Sequence, residues 1–213
     1  MKSGDLKETV AQAMLVDPEK VWVTMRNLRE NDLLTTGARG VNAPDLTYRD
    51  AARVLLAHIL NSNPGRAAPR MVNAFGPLPW SNPAACEDLS EYEEPFTLGD
   101  LLPDQSKNTF EEALAGLIRV FVECRDGTAF RLAGSLRRDR TLKNPPCLVE
   151  IFEEDAAATI SMGNVQYSFN ARPISVRDST REHSDQTRLG RQCIAFVNQE
   201  VIARIADGFR EGK

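Results

Sequence analysis

Proline is concentrated in one stretch of the chain, and this feature most constrains the fold. Seven of the twelve prolines lie between residues 63 and 105. Proline removes a backbone donor and restricts the residue before it, so no long helix or strand can run through this stretch. An irregular connection of this length is uncommon inside one compact domain. We therefore predict a domain at 1–62, a Pro-rich acidic linker at 63–105 with a short helix near 67–75, and a domain at 106–213.

Charge separates the same three parts. The chain of 213 residues carries a formal net charge of -4. Residues 1–62 hold eight basic and eight acidic side chains, residues 63–105 hold two and seven, and residues 106–213 hold sixteen and fifteen. The acidic excess therefore belongs to the linker. A uniformly basic DNA-binding domain is excluded, but nucleic-acid binding by one of the folded ends is not.

Composition limits the class of protein and its location. Hydrophobic residues make up 42% of the chain, which is enough for a core and excludes wholesale disorder. No run approaches the roughly 18 apolar residues of a membrane span, and no apolar signal segment follows the N-terminus. The four cysteines are scattered singly, as is typical of free thiols in a reducing compartment. We expect a cytoplasmic protein without membrane contact.

The first thirty residues predict two helices joined by a tight turn. Apolar residues recur at helical spacing between residues 5 and 15. Asp17 is a suitable N-cap and Pro18 a favoured first residue for a second helix, which should run to about Asn31. Its buried face should hold Val21, Met25 and Leu28. Such a pair of helices is the helix-turn-helix arrangement.

The next residues extend this pattern. Residues 33–36 predict a short strand, and residues 37–44 form a glycine-containing turn that carries Arg39. A third helix should run from Tyr48 to about Leu60, with Thr47 and Asp50 in a capping-box spacing. Helix, helix, short strand and Gly/Arg loop is the order of a winged helix-turn-helix.

Two quoted stretches carry a family resemblance. "VDPEKVWVTMRNLRENDLL" resembles the recognition-helix pattern of winged-helix regulators, and "TTGARGVNAPDLTYRDAARVLLAHIL" resembles a wing and helix of bacterial phage and prophage DNA-binding proteins. The resemblance covers about residues 3–62. One departure is Asp32, where such families commonly have glycine before the paired leucines, so this turn has to tolerate a larger residue.

The resemblance implies a way of binding DNA. In a winged helix the second helix enters the major groove and the wing contacts the backbone or the minor groove. With one face of that helix buried, Lys20, Thr24, Arg26 and Asn27 remain for DNA, together with Arg39 on the wing. Arginine pairs with guanine and asparagine with adenine, while lysine and threonine suit phosphates. Alternatively, these residues form an ordinary solvated face, or the winged helix contacts protein.

The second half predicts an α+β domain. A helix should span about 109–124, strands 147–152 and about 192–196, and a hairpin 157–169, before a closing helix capped by Asn198. The basic residues of 137–143 either reach phosphates beside the winged helix or form a charged turn. We expect this domain to serve dimerisation or partner binding.

Motifs of catalysis are lacking in the sequence. The two histidines lie far apart, and neither a phosphate-binding glycine loop nor a nucleophile or metal motif occurs. We therefore predict no catalytic residue, no metal and no cofactor. The leading hypothesis is a sequence-specific double-stranded DNA-binding protein, a homodimeric transcriptional regulator of a phage or mobile element. The alternatives are a winged-helix adaptor that binds protein in phage assembly or host interference, and an enzyme with its site in the second half.

Overall fold

A computed structural model of the chain describes residues 1–37, 44–81, 109–125, 147–153, 155–162, 165–170 and 194–211. Within these ranges the chain forms six α-helices, one 3₁₀ turn and five strands. The helices are α1 (Ser3–Met14), α2 (Pro18–Glu30), α3 (Tyr48–Leu60), α4 (Ala68–Phe75), α5 (Phe110–Arg125) and α6 (Gln199–Glu211), and the 3₁₀ turn is Gly65–Ala67. The strands are β1 (Trp80–Ser81), β2 (Cys147–Phe152), β3 (Ala157–Met162), β4 (Val165–Asn170) and β5 (Ile194–Asn198).

The five strands form one antiparallel sheet in the order β1-β4-β3-β2-β5. Cys147, Val149 and Ile151 of β2 are buried, and the residues between them are half-buried. This alternation places one face of the sheet on the hydrophobic core. Burial also raises the pKa of the free Cys147 thiol to about 12. The predicted α+β class is confirmed, and the last strand begins two residues later than predicted.

Side-chain caps fix where the helices begin. Asp17 accepts a hydrogen bond from the Glu19 amide at 2.8 Å at the start of α2. Thr47 and Asp50 form the predicted capping box of α3, and Asn198 accepts from the Glu200 amide at 3.1 Å before α6. Each cap satisfies an amide that lacks a partner within its helix. The predicted starts of these three helices are confirmed.

The predicted strand at 33–36 is wrong. Residues 33–37 contain no strand, because the Thr35 amide donates to the Asp50 carboxylate at 2.8 Å instead of to a neighbouring strand. The backbone of Asp32 has φ 57°. This is the left-handed conformation, which glycine adopts without strain. This backbone geometry explains why glycine suits the position before the paired leucines.

The helices of the first sixty residues pack directly on those of the second half. α1 contacts α6, and α3 contacts α5. A side chain at Gly208 would clash with Thr9, so glycine permits the close approach of α1 and α6. The rings of Tyr48 and Phe209 lie 4.7 Å apart. The domain boundaries stay a prediction, but both predicted domains bury their apolar residues in one hydrophobic cluster.

The first part of the predicted linker also joins this cluster. Residues 63–81 hold the 3₁₀ turn, the predicted short helix as α4, and β1. Val72 and Leu78 are buried in the core. The rest of the linker, residues 82–105, lies outside the described ranges. Proline therefore limits the length of the elements here without separating them from the core.

Glu111 at the start of α5 connects the two halves through hydrogen bonds. Only 7% of its side chain is exposed, and its carboxylate accepts from Arg49 and Arg53 of α3. The Arg53 contacts measure 2.8 and 3.0 Å. Arg53 also donates to the Leu33 carbonyl at 2.7 Å, and the Glu111 amide donates to the Gly76 carbonyl at 3.0 Å. Glu111 and its partner Arg53 thus connect four chain segments by hydrogen bonds.

Replacing Glu111 should test this connection. We expect Glu111→Gln to lower the free energy of unfolding by about 3 kcal/mol, because it leaves the guanidinium of Arg53 without its buried counter-ion. Urea unfolding followed by circular dichroism measures the change. Glu112→Gln is the matched control, since Glu112 is more exposed and contacts Arg49 at 3.3 Å. Equal losses in the two variants would contradict the role given to Glu111.

His58 on α3 makes stability depend on pH. Its side chain is buried, and neither ring nitrogen has a hydrogen-bond partner among the described residues. Burial lowers its pKa to about 4, an effect that the nearby backbone of Ser62 partly offsets. The unfolded chain binds this proton near pH 6.5, so the stability from the neutral ring is present above pH 6.5 and is lost as the pH falls towards 4.

We expect this loss to approach about 3 kcal/mol between pH 7 and pH 4. The measurement is the urea midpoint of unfolding across that range, for the native chain and for His58→Leu. The leucine variant should lose stability less steeply on acidification, since it has no proton to gain. Parallel pH profiles for the two proteins would show that His58 does not titrate in this way.

Candidate nucleic-acid interface

α2 presents a polar face opposite its buried stripe. Lys20 and Arg26 are exposed and Asn27 is half-buried. The opposite side of the helix packs into the core through the three predicted residues Val21, Met25 and Leu28. Three of the four residues predicted on this helix therefore lie where a partner can reach them.

Thr24 is the exception, because its predicted place on the exposed, DNA-facing side of the helix is wrong. Its side chain is fully buried, and its Oγ1 donates to the Lys20 carbonyl at 2.9 Å. Thr24 lies three residues after Val21 and next to Met25, inside the same helical stripe. The hydroxyl is satisfied one turn back along the helix, which lets a polar side chain occupy a core position.

The two remaining base-reading candidates already have partners within α2. Arg26 is 72% exposed and pairs with Glu30 at 2.8 Å, one helical turn away. Such exposed pairs contribute about 0.2–1 kcal/mol, so a phosphate or base can take the place of the carboxylate. The Asn27 amide nitrogen donates to the Val23 carbonyl at 2.8 Å. A bidentate contact with adenine would require Asn27 to release that bond.

The base of the predicted wing is fixed by Asp50. Its carboxylate accepts from the amide and hydroxyl of Thr35 at 2.8 and 2.9 Å. It also accepts from the amide and hydroxyl of Thr47 at 2.7 and 2.8 Å. Both ends of the segment that contains Arg39 are thus held at the first turn of α3. Arg39 itself lies outside the described residues.

Arg66 and Arg70 are two further cations on elements that contact α2, and the sequence patterns did not identify them. Both side chains are exposed, and the 3₁₀ turn and α4 that carry them contact α2. No acid pairs with either residue or with Lys20 in the part of the chain that is described. The sequence did contain a signal for a basic segment, since residues 51–86 contain no acidic residue. Counting charge over the whole linker concealed it, because all seven acids follow residue 86.

Acidic and apolar side chains share this region. Glu19 on α2 pairs with Lys7 of α1 at 3.5 Å. Leu15, between α1 and α2, is 86% exposed, and Trp22 is 41% exposed. The Arg29 guanidinium lies 5.2 Å from the centre of the Trp22 ring, a cation–π distance. Basic, acidic and apolar side chains are therefore all exposed on α2 and the segments next to it.

Three further features concern the basic cluster, metal binding and membrane spans. The basic residues of 137–143 lie outside the described ranges. Among the residues with described positions, no cluster of three or more His, Cys, Asp or Glu side chains is arranged to hold a metal ion. None of the described helices has both the length and the apolarity that crossing a bilayer requires.

The chain was also compared with known proteins. Neither models of known protein families nor characterised proteins nor solved structures match it.

Asp50 offers a test of the predicted wing base. We expect Asp50→Ala to lower the free energy of unfolding by about 2 kcal/mol, because the amides and hydroxyls of Thr35 and Thr47 lose a shared, buried acceptor. Trypsin should also cut the variant faster after Arg39, since the ends of that segment are released. Asp45→Ala, which removes an exposed carboxylate near the same segment, is the control. Unchanged cleavage after Arg39 in Asp50→Ala would contradict the proposal that Asp50 holds both ends of this segment.

Proposed function

We propose that this protein binds double-stranded DNA through α2 and the adjoining 3₁₀ turn, as a regulator of the winged-helix type. The observation that carries the proposal is a set of four exposed cations on contacting elements. Lys20 and Arg26 lie on α2, and Arg66 and Arg70 lie on the turn and helix packed against it. Three of the four have no acidic partner among the described residues.

The local structure supports this use of α2. The helix is held from behind by its buried stripe and by Asp17 at its N-terminus. A rigid helix loses little conformational entropy when it enters a groove. Asp50, on the first turn of α3, holds Thr35 and Thr47, which lie on either side of Arg39 in the sequence, and α3 itself contacts α2. The wing and its contact with DNA are part of the proposal.

The charges imply a modest affinity. Each cation that neutralises a phosphate releases condensed counterions, so binding weakens with salt. Four such contacts predict that affinity falls by about 100-fold between roughly 50 and 200 mM salt. The carboxylates of Glu19 and Glu30 on the same helix are repelled by the DNA phosphates, and this repulsion keeps non-specific binding weak.

The experiment is fluorescence anisotropy of a labelled random duplex titrated with the full chain at those two salt concentrations. We expect salt-dependent binding, and we expect Arg66→Gln with Arg70→Gln to reduce the slope of log affinity against log salt by about two. Arg26→Gln with Lys20→Gln should do the same. Each variant should keep its helical circular dichroism, because these side chains are exposed.

Arg204→Gln is the matched control. It removes an exposed arginine from α6, where the side chain donates to the Gln12 carbonyl at 3.2 Å, and it should leave the salt slope unchanged. Absence of binding at the lower salt overturns the proposal. A loss in Arg204→Gln about half as large as in the Arg66 and Arg70 variant, which removes two charges instead of one, would mean that net charge, and not this surface, is responsible.

A second candidate function is a protein adaptor. Leu15, between α1 and α2, and Trp22 and Val23 on α2 are large exposed apolar residues. Exposed apolar residues that form a contiguous patch are typical of protein contacts. This candidate is preferred if the duplex is not bound. Photocrosslinking from a reactive residue placed at Trp22 would then identify the partner.

A further inference from the structure

β5 is the longer of the two outer strands of the sheet. It spans five residues and pairs on one side with β2. The other outer strand, β1, spans two. No strand within the described ranges pairs with the outer side of β5. An outer strand of this length presents unpaired amides and carbonyls that another strand can bind.

β5 also lacks the features that protect an edge strand. Residues 192–199 contain no charged residue and no proline. Lysine, proline or inward-pointing charges normally block the pairing of edges. At the centre of the strand, Phe196 is 65% exposed. It lies opposite Glu150 of β2, on the face of the sheet turned away from the buried Val197.

We propose that β5 is a self-association strand, which pairs antiparallel with β5 of a second copy of this chain. A two-fold axis at Phe196 would set the two phenylalanines side by side on the same face. Directly opposed aromatic residues stabilise antiparallel pairs. The resulting sheet joins the five described strands of each copy and runs continuously through both.

Two properties favour a second copy over a different partner. Because β5 carries no charged side chain, it offers no ion pair to a charged peptide. Two copies of the strand also do not repel each other electrostatically. Its central exposed residue also makes the edge self-complementary, as a two-fold interface requires. The association places two copies of α2 in one particle, but it does not depend on DNA binding.

The test measures mass and amide exchange without DNA. Sedimentation equilibrium of the full chain should show a doubled mass at about 100 μM and dissociation at lower concentration, as expected for a small interface. Hydrogen exchange in residues 194–198 should slow as the dimer forms. Phe196→Lys should remain a monomer at every concentration, whereas Phe196→Leu should still dimerise.

Trp22→Lys is the matched control, since it replaces an exposed aromatic residue on α2 and should leave the dimer intact. A native chain that stays monomeric overturns the inference. A Phe196→Lys dimer overturns it as well, because it places the interface elsewhere. If Phe196→Lys does not fold, unchanged exchange of residues 194–198 between monomer and dimer in Phe196→Leu decides against it. DNA binding by a monomer would leave the proposed function standing.

Discussion

The buried carboxylate of Glu111 is the interaction on which the rest of the structure depends. Burial of a charge is costly unless it is paired, and Glu111 meets this cost with two arginines of α3. Arg53 also donates a hydrogen bond to the carbonyl of Leu33, which lies just after α2. A side chain at Gly76 would come within 2.6 Å of the Val72 carbonyl oxygen and 3.0 Å of Glu111 Oε2, so the close packing at the end of α4 requires glycine. The arrangement of α2, α3, α4 and α5 follows from one ion pair network.

This network positions the proposed DNA surface. α3 is held by Glu111 from one side and carries Asp50 on its first turn. Asp50 fixes the ends of the segment that contains Arg39. α4 and its preceding 3₁₀ turn place Arg66 and Arg70 beside α2. Basic residues far apart in sequence are therefore carried by elements that contact one another in the core.

Much of the fold could be predicted from local signals, and the failures have physical causes. Asp17, the Thr47–Asp50 box and Asn198 mark helix starts by chemistry confined to three or four residues. The strand predicted at 33–36 failed because Asp50, fifteen residues away, takes the Thr35 amide. Thr24 was assigned to the wrong face because a threonine hydroxyl can be satisfied within its own helix. Arg66 and Arg70 were missed because an average over the linker combined an acid-free part with an acidic one.

The sequence by itself determined the elements: their helical or alternating periodicity, their caps and the charge each one carries. These features depend on neighbours within a few residues, so they can be predicted without knowledge of the fold. The tertiary structure alone decided that the two halves share a core, that Glu111 meets Arg53, and that β5 and not β1 is the long outer strand. Those contacts join residues tens of positions apart. Their partners are selected by shape and burial, which no local pattern encodes.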